Sequence, residues 1–332
     1  MVLGEQHVHR SAPEFYCPWS DDCSLQACGL RVGDAGAECE SCGIVLPIAG
    51  GILQFVAATG LDSDKQRELD GNTLALDRET VELYLHKDEW TPLLTHWSNR
   101  SLRRLAKFIN SVAPAELTFL GVGTGFEVPP LLKYGVTPQR LNLSDLSATA
   151  LTIAQIRMAG HADLLPGPPY YFTADLDAVP LRNREQGLVI YECLHHTSDM
   201  HAALERMLAV GYADIFFVEP TTNWLIRALA RRGVAQRIEY SGVDPDRLDI
   251  GRVRELARKY GYTTRIRTEW AIPIDYVAAA ARKLHLPRRA VDRSVLAACG
   301  ALGALGRPFH FGNFTVCALH RKAVCPTGVV AP

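Results

Sequence analysis

The run Thr118-Phe-Leu-Gly121-Val-Gly123-Thr-Gly125, followed by Leu141-Asn-Leu-Ser-Asp145, constrains this chain more than any other feature. It reads as an apolar strand, a glycine turn, a helix and a second apolar strand that ends in an acid. Two parallel strands joined by a helix have this order. Glycine at 121, 123 and 125 permits a sharp turn and lets a ligand approach the main chain with no Cβ in the way. Asp145 stands where a carboxylate can accept both hydroxyls of a ribose. The nicotinamide-dinucleotide fingerprint is G-x-G-x-x-G, whereas the spacing here is G-x-G-x-G, which disfavours an NAD-dependent oxidoreductase.

From Leu117 onwards short apolar strands alternate with helices, the pattern of a parallel sheet covered on both faces. The expected strands are Leu117–Val122, Arg140–Leu143, Tyr170–Thr173, Gly187–Tyr191, Asp214–Val218, Thr263–Trp270 and His310–Ala318. They make an α/β fold with a doubly wound, seven-stranded, mostly parallel sheet and an antiparallel edge in the last pair. Three regions are expected: a cysteine-rich segment over 1–60, a helical cap over 61–112, and the α/β domain over 113–332. The cap carries helices at Ser63–Leu76, Arg78–His86 and Pro92–Ile109. Residues 272–309 separate the last two strands with helices at Tyr276–His285 and Arg288–Leu305, an insertion that reads as a helical lid or substrate wall.

Composition narrows the function. The 332 residues are 48% apolar, enough for a substantial core. No run of about 20 apolar residues occurs, so no membrane span is expected. The N-terminus shows no basic-then-apolar leader, which makes the cytoplasm the expected location. Net charge is −1, but residues 1–64 hold 2 Lys/Arg against 9 Asp/Glu, while residues 221–332 hold 19 against 8. The acidic head argues against nucleic acid as a partner.

The glycine run resembles motif I of the class I S-adenosylmethionine-dependent methyltransferases. The resemblance implies that Gly121, Gly123 and Gly125 line the methionine part of the cofactor and that Asp145, with Leu146 beside it, binds the ribose. Phe119 replaces the acid that usually ends the first strand, so the cofactor's amino group needs another partner, and Glu127 is one possibility. Asp175, in Thr173-Ala-Asp-Leu-Asp177, resembles the acid that accepts from the adenine amine, with Leu176 supplying a backbone N–H. The segment Gly187-Leu-Val-Ile-Tyr-Glu192-Cys-Leu-His195-His196 resembles the family's next block, with Gly187 in place of an aspartate and Glu192 facing the cofactor. In relatives that methylate hydroxyls, a histidine pair here, with an acid after the next strand, forms the base machinery. The resemblance thus implies His195 or His196 as base and Glu219 as its orienting acid. Asp199 reads as the cap of the helix Met200–Val210.

Five cysteines fall between 17 and 42. Cys39-Glu-Ser-Cys42-Gly43 is a CxxCG knuckle, and with Cys23 and Cys28 it would make a tetrahedral, structural zinc site. Cys17 competes for the fourth position. The following Ile44-Val-Leu-Pro-Ile-Ala-Gly-Gly-Ile resembles the end of small zinc ribbons fused ahead of some methyltransferases. The combined expectation is methyl transfer to a small molecule, through a hydroxyl of a natural product or sugar. An RNA base methyltransferase and a non-catalytic, methyltransferase-like partner protein are the alternatives. Oligomeric state is not legible.

Overall fold

Strands β5 (Glu116–Leu120) and β8 (Gly187–Tyr191) are buried at every position, which places them at the centre of a sheet covered on both faces. The structure, a computed structural model, describes residues 13–17, 29–33, 36–39, 41–56, 61, 63–86, 92–221, 223–231, 248–271, 282–283, 285, 287–306 and 310–322. The remaining strands are β1 (Leu30–Val32), β2 (Gly36–Cys39), β3 (Val45–Ala49), β4 (Ile52–Gln54), β6 (Arg140–Asp145), β7 (Tyr170–Thr173), β9 (Asp214–Pro220), β10 (Tyr262–Glu269) and β11 (Phe314–Arg321). The described helices are α1 (Ser63–Asn72), α2 (Arg78–Leu85), α3 (Pro92–Asn110), α4 (Val128–Lys133), α5 (Ala148–Ala159), α6 (Met200–Val210), α7 (Trp224–Arg231), α8 (Ile250–Lys259) and α9 (Arg288–Gly306). No helix among the described residues is long and apolar enough to cross a membrane.

The sheet order is β1-β2-β3-β4-β7-β6-β5-β8-β9-β11-β10. Strands β7, β6, β5, β8 and β9 run parallel, and β11 is antiparallel to both β9 and β10. The chain winds from β5 through β6 to β7, then returns across β5 to begin β8, so its direction reverses between β5 and β8. In open sheets of this kind that reversal opens a crevice at the carboxyl ends of the strands.

The expectation of seven strands is corrected to eleven. The additional four come from residues 30–54, and β4 joins β7 in parallel through Leu53 opposite Phe172. Burial explains the attachment: Ile52 and Leu53 are covered, and Phe15 packs 5.0 Å from Phe55 and 5.1 Å from Phe172. Pairing there also covers the open edge that β7 would otherwise present.

The helices follow their side-chain periodicity. Leu102, Leu105, Ala106 and Ile109 form the buried stripe of α3, and Met200, Ala203, Leu204, Met207 and Leu208 that of α6. Asp199 caps α6 by accepting from the His201 and Ala202 amides, as the sequence predicts, and Gly211 ends the helix in the left-handed region at φ 85°. In the insertion, α9 packs through Val295 and Cys299 against Trp270. The expected helix at Tyr276–His285 lies largely outside the described residues.

Gly187 opens β8 in a space with no room for a side chain. A Cβ there would stand 2.9 Å from Leu117, 3.1 Å from Pro114 and 3.2 Å from Phe216. Gly187→Ala should therefore lower unfolding stability by about 1–3 kcal/mol through overpacking, and Gly187→Asp by more because it also buries a charge. Urea denaturation checks this, and an unchanged midpoint for both variants would refute the packing account.

Candidate functional site

Four segments leave the carboxyl ends of β5, β6, β7 and β8 and meet at the reversal point. The glycine turn after β5 is shaped by two different contacts. Gly121 has φ +65°, and a Cβ on it would lie 2.0 Å from the Cys193 sulfur, so the turn touches the segment after β8. Gly125 has φ +72° and lies against α5, where a Cβ would meet Ala154 at 3.3 Å. Between them Gly123, at φ +53°, has nothing within 4 Å of a Cβ position. Its main chain faces open space.

Asp145 ends β6 with Oδ2 accepting from the Gly123 amide at 2.7 Å and Oδ1 from the Ser147 amide at 2.9 Å. Burial raises its carboxyl above the usual carboxylate range, outweighing the Ser147, Gly123 and Leu146 amides that lower it. Ser147 then caps α5. After β7, Asp175 accepts from the Asp177 amide at 2.9 Å.

The segment after β8 is pinned from below. Glu219 is fully buried; its Oε1 accepts from the Cys193 and Leu194 amides at 2.9 and 2.6 Å, and its Oε2 is 2.7 Å from His195 Nδ1. The His195 and His196 rings lie 4.3 Å apart between centroids. The acid expected to orient the histidines thus contacts His195.

A cavity of about 600 Å³ opens over these segments. Of the residues singled out from the sequence, Gly121, Gly123, Glu127, Asp145, Leu146, Asp175, Leu176, Glu192 and His196 line it; Gly125, His195 and Glu219 stand behind that lining. Residues before the α/β domain also contribute: Lys65 and Leu69 from α1, Leu74, Tyr84 from α2, and Ser98, Asn99 and Leu102 from α3. Among the described residues none of the 272–309 insertion lines the cavity; much of it, including 272–281, lies outside those residues. The wall that the described residues form comes from α1–α3 and the segment joining α1 to α2. Of the cap's aromatics Tyr84 lines the cavity and Trp97 does not.

Two basic residues escaped the sequence reading. Lys65 is 6% exposed, with Nζ 3.1 Å from Asp175, 3.3 Å from Asp177 and 3.0 Å from the His196 carbonyl. Arg157, buried on α5, donates to the carbonyls of Thr124 at 3.0 Å and Leu85 at 3.1 Å, and to that of Tyr84. It ties the glycine turn to the end of α2. Nothing in the local pattern marks a lysine on a polar helix, or an arginine on an apolar one, as a cross-link between segments.

Three of the five N-terminal cysteines come together. Cys17, Cys39 and Cys42 bring their sulfurs within 4.8 Å of one another, with Cys17 and Cys42 at 3.5 Å, while Cys23 and Cys28 lie outside the described residues. Gly43 turns the knuckle at φ +70°. Burial works to raise the Cys39 thiol, but the Cys42 and Ser41 amides and the neighbouring Cys42 and Cys17 thiols outweigh it and bring it down to about 7.

No family model matches the chain, and neither does any curated protein. Among solved structures it is similar to magnesium protoporphyrin IX methyltransferase (ChlM) from Synechocystis PCC 6803 with bound SAH, at 12% identity and TM-score 0.48, over 78% of this chain and 100% of that one. It is also similar to the DhpI-SAM-HEP complex, at 13% identity and TM-score 0.46, over 79% of this chain and 100% of that one. A third is the plantazolicin methyltransferase BamL in complex with a triazolic desmethylPZN analog and SAH, at 13% identity and TM-score 0.42, over 78% and 96%. At these identities and scores the chemistry has to be read from the site itself.

The contact between Gly121 and Cys193 gives a direct check. Gly121→Ala should destabilise the protein twice over, by about 1–2 kcal/mol for a left-handed alanine and further by the overlap with sulfur. Adding Cys193→Gly removes the overlap and should recover that second part only. Thermal unfolding of the single and double variants measures this, and additive losses would show that the two residues are not in contact.

Proposed function

We propose that the chain binds S-adenosylmethionine and transfers a methyl group to a small molecule, through a hydroxyl of a natural product or sugar. The observation that carries the reading is the convergence of the glycine turn, Asp145, Asp175 with Leu176, and Glu192 with His196 on one cavity of about 600 Å³ at the reversal point of the sheet. The residues fit the cofactor. The open main chain at Gly123 admits a ligand against the backbone, and Asp145 stands beside it where a ribose would be held.

When bound, the cofactor supplies the electrophilic methyl carbon on its sulfonium. The residues then have to align the acceptor, exclude water and take a proton. Asp175 is read as the acceptor for the adenine amine, and Lys65 holds its carboxylate in place. His196 lines the cavity, where an imidazole nitrogen can take a hydroxyl proton. His195, fixed by Glu219 and tilted at 36° against the His196 ring, positions that ring. The acceptor enters under α1–α3, a wall that includes Leu69, Leu74, Tyr84 and Leu102, and this favours a partly apolar small molecule over a nucleic acid.

The N-terminal cysteines are read as a structural zinc site formed by Cys39 and Cys42 with Cys17, the sequence candidates Cys23 and Cys28 being available for the remaining position. Thiols on sulfur separations below 4.8 Å suit a single tetrahedral ion.

Titration calorimetry with S-adenosylhomocysteine tests the cofactor reading. Micromolar binding is expected in the intact protein, and Asp145→Ala should weaken it at least about tenfold, the loss of a charge-assisted hydrogen-bond acceptor. Absence of binding by the folded protein would refute it. For the metal, elemental analysis should find one zinc per chain, and a Cys39→Ser/Cys42→Ser variant should lose it; a full complement of zinc in that variant would exclude these ligands.

A further inference from the structure

We propose that the outward face of α9, together with Trp224, docks the protein on an anionic lipid surface. From Val295 to Gly306 the helix carries no charged, amide or hydroxyl side chain, so it is apolar all the way round. A helix of that kind belongs where every side of it is covered. The protein covers one side: Cys299, Gly303 and Gly306 are buried, and Val295 and Cys299 pack with Trp270. Ala297, Ala298, Ala301, Leu302, Ala304 and Leu305 stay exposed, Leu302 at 42% and Leu305 at 76%.

The apolar surface continues past the end of the helix. The Phe311 amide donates to the Gly306 carbonyl at 3.0 Å, and the Phe311 ring stacks on that of Trp224 with 5.7 Å between centroids. Trp224 is itself 66% exposed. An indole therefore stands at the C-terminal end of α9, close to Leu305. Indole rings settle at the boundary between headgroups and acyl chains, and leucines on the same face enter the acyl region beneath. The helix lies on such a surface and does not cross it, since no described helix is long and apolar enough to span a membrane.

Charge selects the occupant. In the described residues of 223–231, 282–306 and 310–322 the single acid is Asp292, and it is buried. Arg231, Arg282, Lys283 and Arg293 are exposed in the same segments, and Arg293 stands one turn before Ala297 on the outward face of α9. The His310 imidazole, next to Phe311, is held below its ordinary range by burial first and then by Arg254 and Arg267, so the surroundings of the patch are positive. An apolar face accompanied by cations complements anionic headgroups. A second copy of the chain fits less well, because it would set cations against cations. The exposed stretch from Ala297 to Leu305 is also only about 12 Å long, too short to supply the roughly 800 Å² per partner that a stable pair of chains covers.

Co-sedimentation of the full chain with lipid vesicles tests this, and the readout does not depend on cofactor binding or methyl transfer. Partition is expected into vesicles of phosphatidylcholine with about one third phosphatidylglycerol at low salt, and should fall about tenfold or more with phosphatidylcholine alone or at ~0.5 M salt. Leu302→Ser/Leu305→Ser should weaken binding to the anionic vesicles about tenfold or more through lost apolar burial. Arg293→Glu, which leaves the apolar face intact, should weaken it several-fold on anionic vesicles only. Both variants change exposed side chains, and their thermal midpoints should match wild type. Wild-type protein that partitions into neither vesicle, or equally into both, would overturn the proposal, as would full binding by the leucine variant. A dimer in sedimentation velocity that the leucine variant abolishes would assign the face to a second copy and overturn it too.

Discussion

The buried carboxylate of Glu219 holds together the part of the molecule on which the site depends. A fully covered anion is tolerated only when its oxygens are met by donors, and here two backbone amides and an imidazole meet them. Those amides belong to Cys193 and Leu194, so the charge fixes the turn by which the chain leaves β8. That turn carries Cys193 against the glycine loop, places His196 on the cavity and puts His195 behind it. The interaction lies across two adjacent strands, β8 and β9, whose parallel register brings Tyr191 opposite Val218 and so Glu219 under the following turn.

The glycine turn answers to the same geometry from the other side. Its first glycine yields space to the Cys193 sulfur and its third to Ala154 of α5, and the middle one leaves the backbone open to the cavity. Arg157 then binds the carbonyl of Thr124 together with those at the end of α2. In this way the helices that precede the α/β domain are tied to the loop that a cofactor would touch. Lys65 does the same on the other flank, linking α1 to Asp175, Asp177 and the His196 carbonyl. The cap is part of the site rather than an appendage to it.

Much of this was legible beforehand, and the reasons are specific. The strand Gly187–Tyr191 is a short apolar run between turn residues, and Tyr170–Thr173 is a short aromatic-rich run; both appear with the expected bounds. Helix Met200–Val210 announces itself by an aspartate cap and apolar residues three and four apart. Other features were not legible because they depend on distant partners. Ile52 and Leu53 read as the tail of a separate cysteine-rich segment, yet they add to the sheet because β7 is an open edge that their apolar side chains can cover. Within the 272–309 insertion, the packing of Val295 and Cys299 with Trp270 is likewise a contact that the local pattern does not announce.

The sequence by itself determined the order of elements, the glycine positions and the acids at strand ends, since these follow from local rules of backbone conformation and side-chain periodicity. Only the tertiary structure decided which of those residues share the cavity: His196 on its wall and His195 behind it, Cys17 beside Cys39 and Cys42, Lys65 across Asp175. The physical reason is that such groupings are set by register between strands and by the burial of charges that need partners. A charge finds its partner in space, and one chain position carries no local record of which distant segment will supply it.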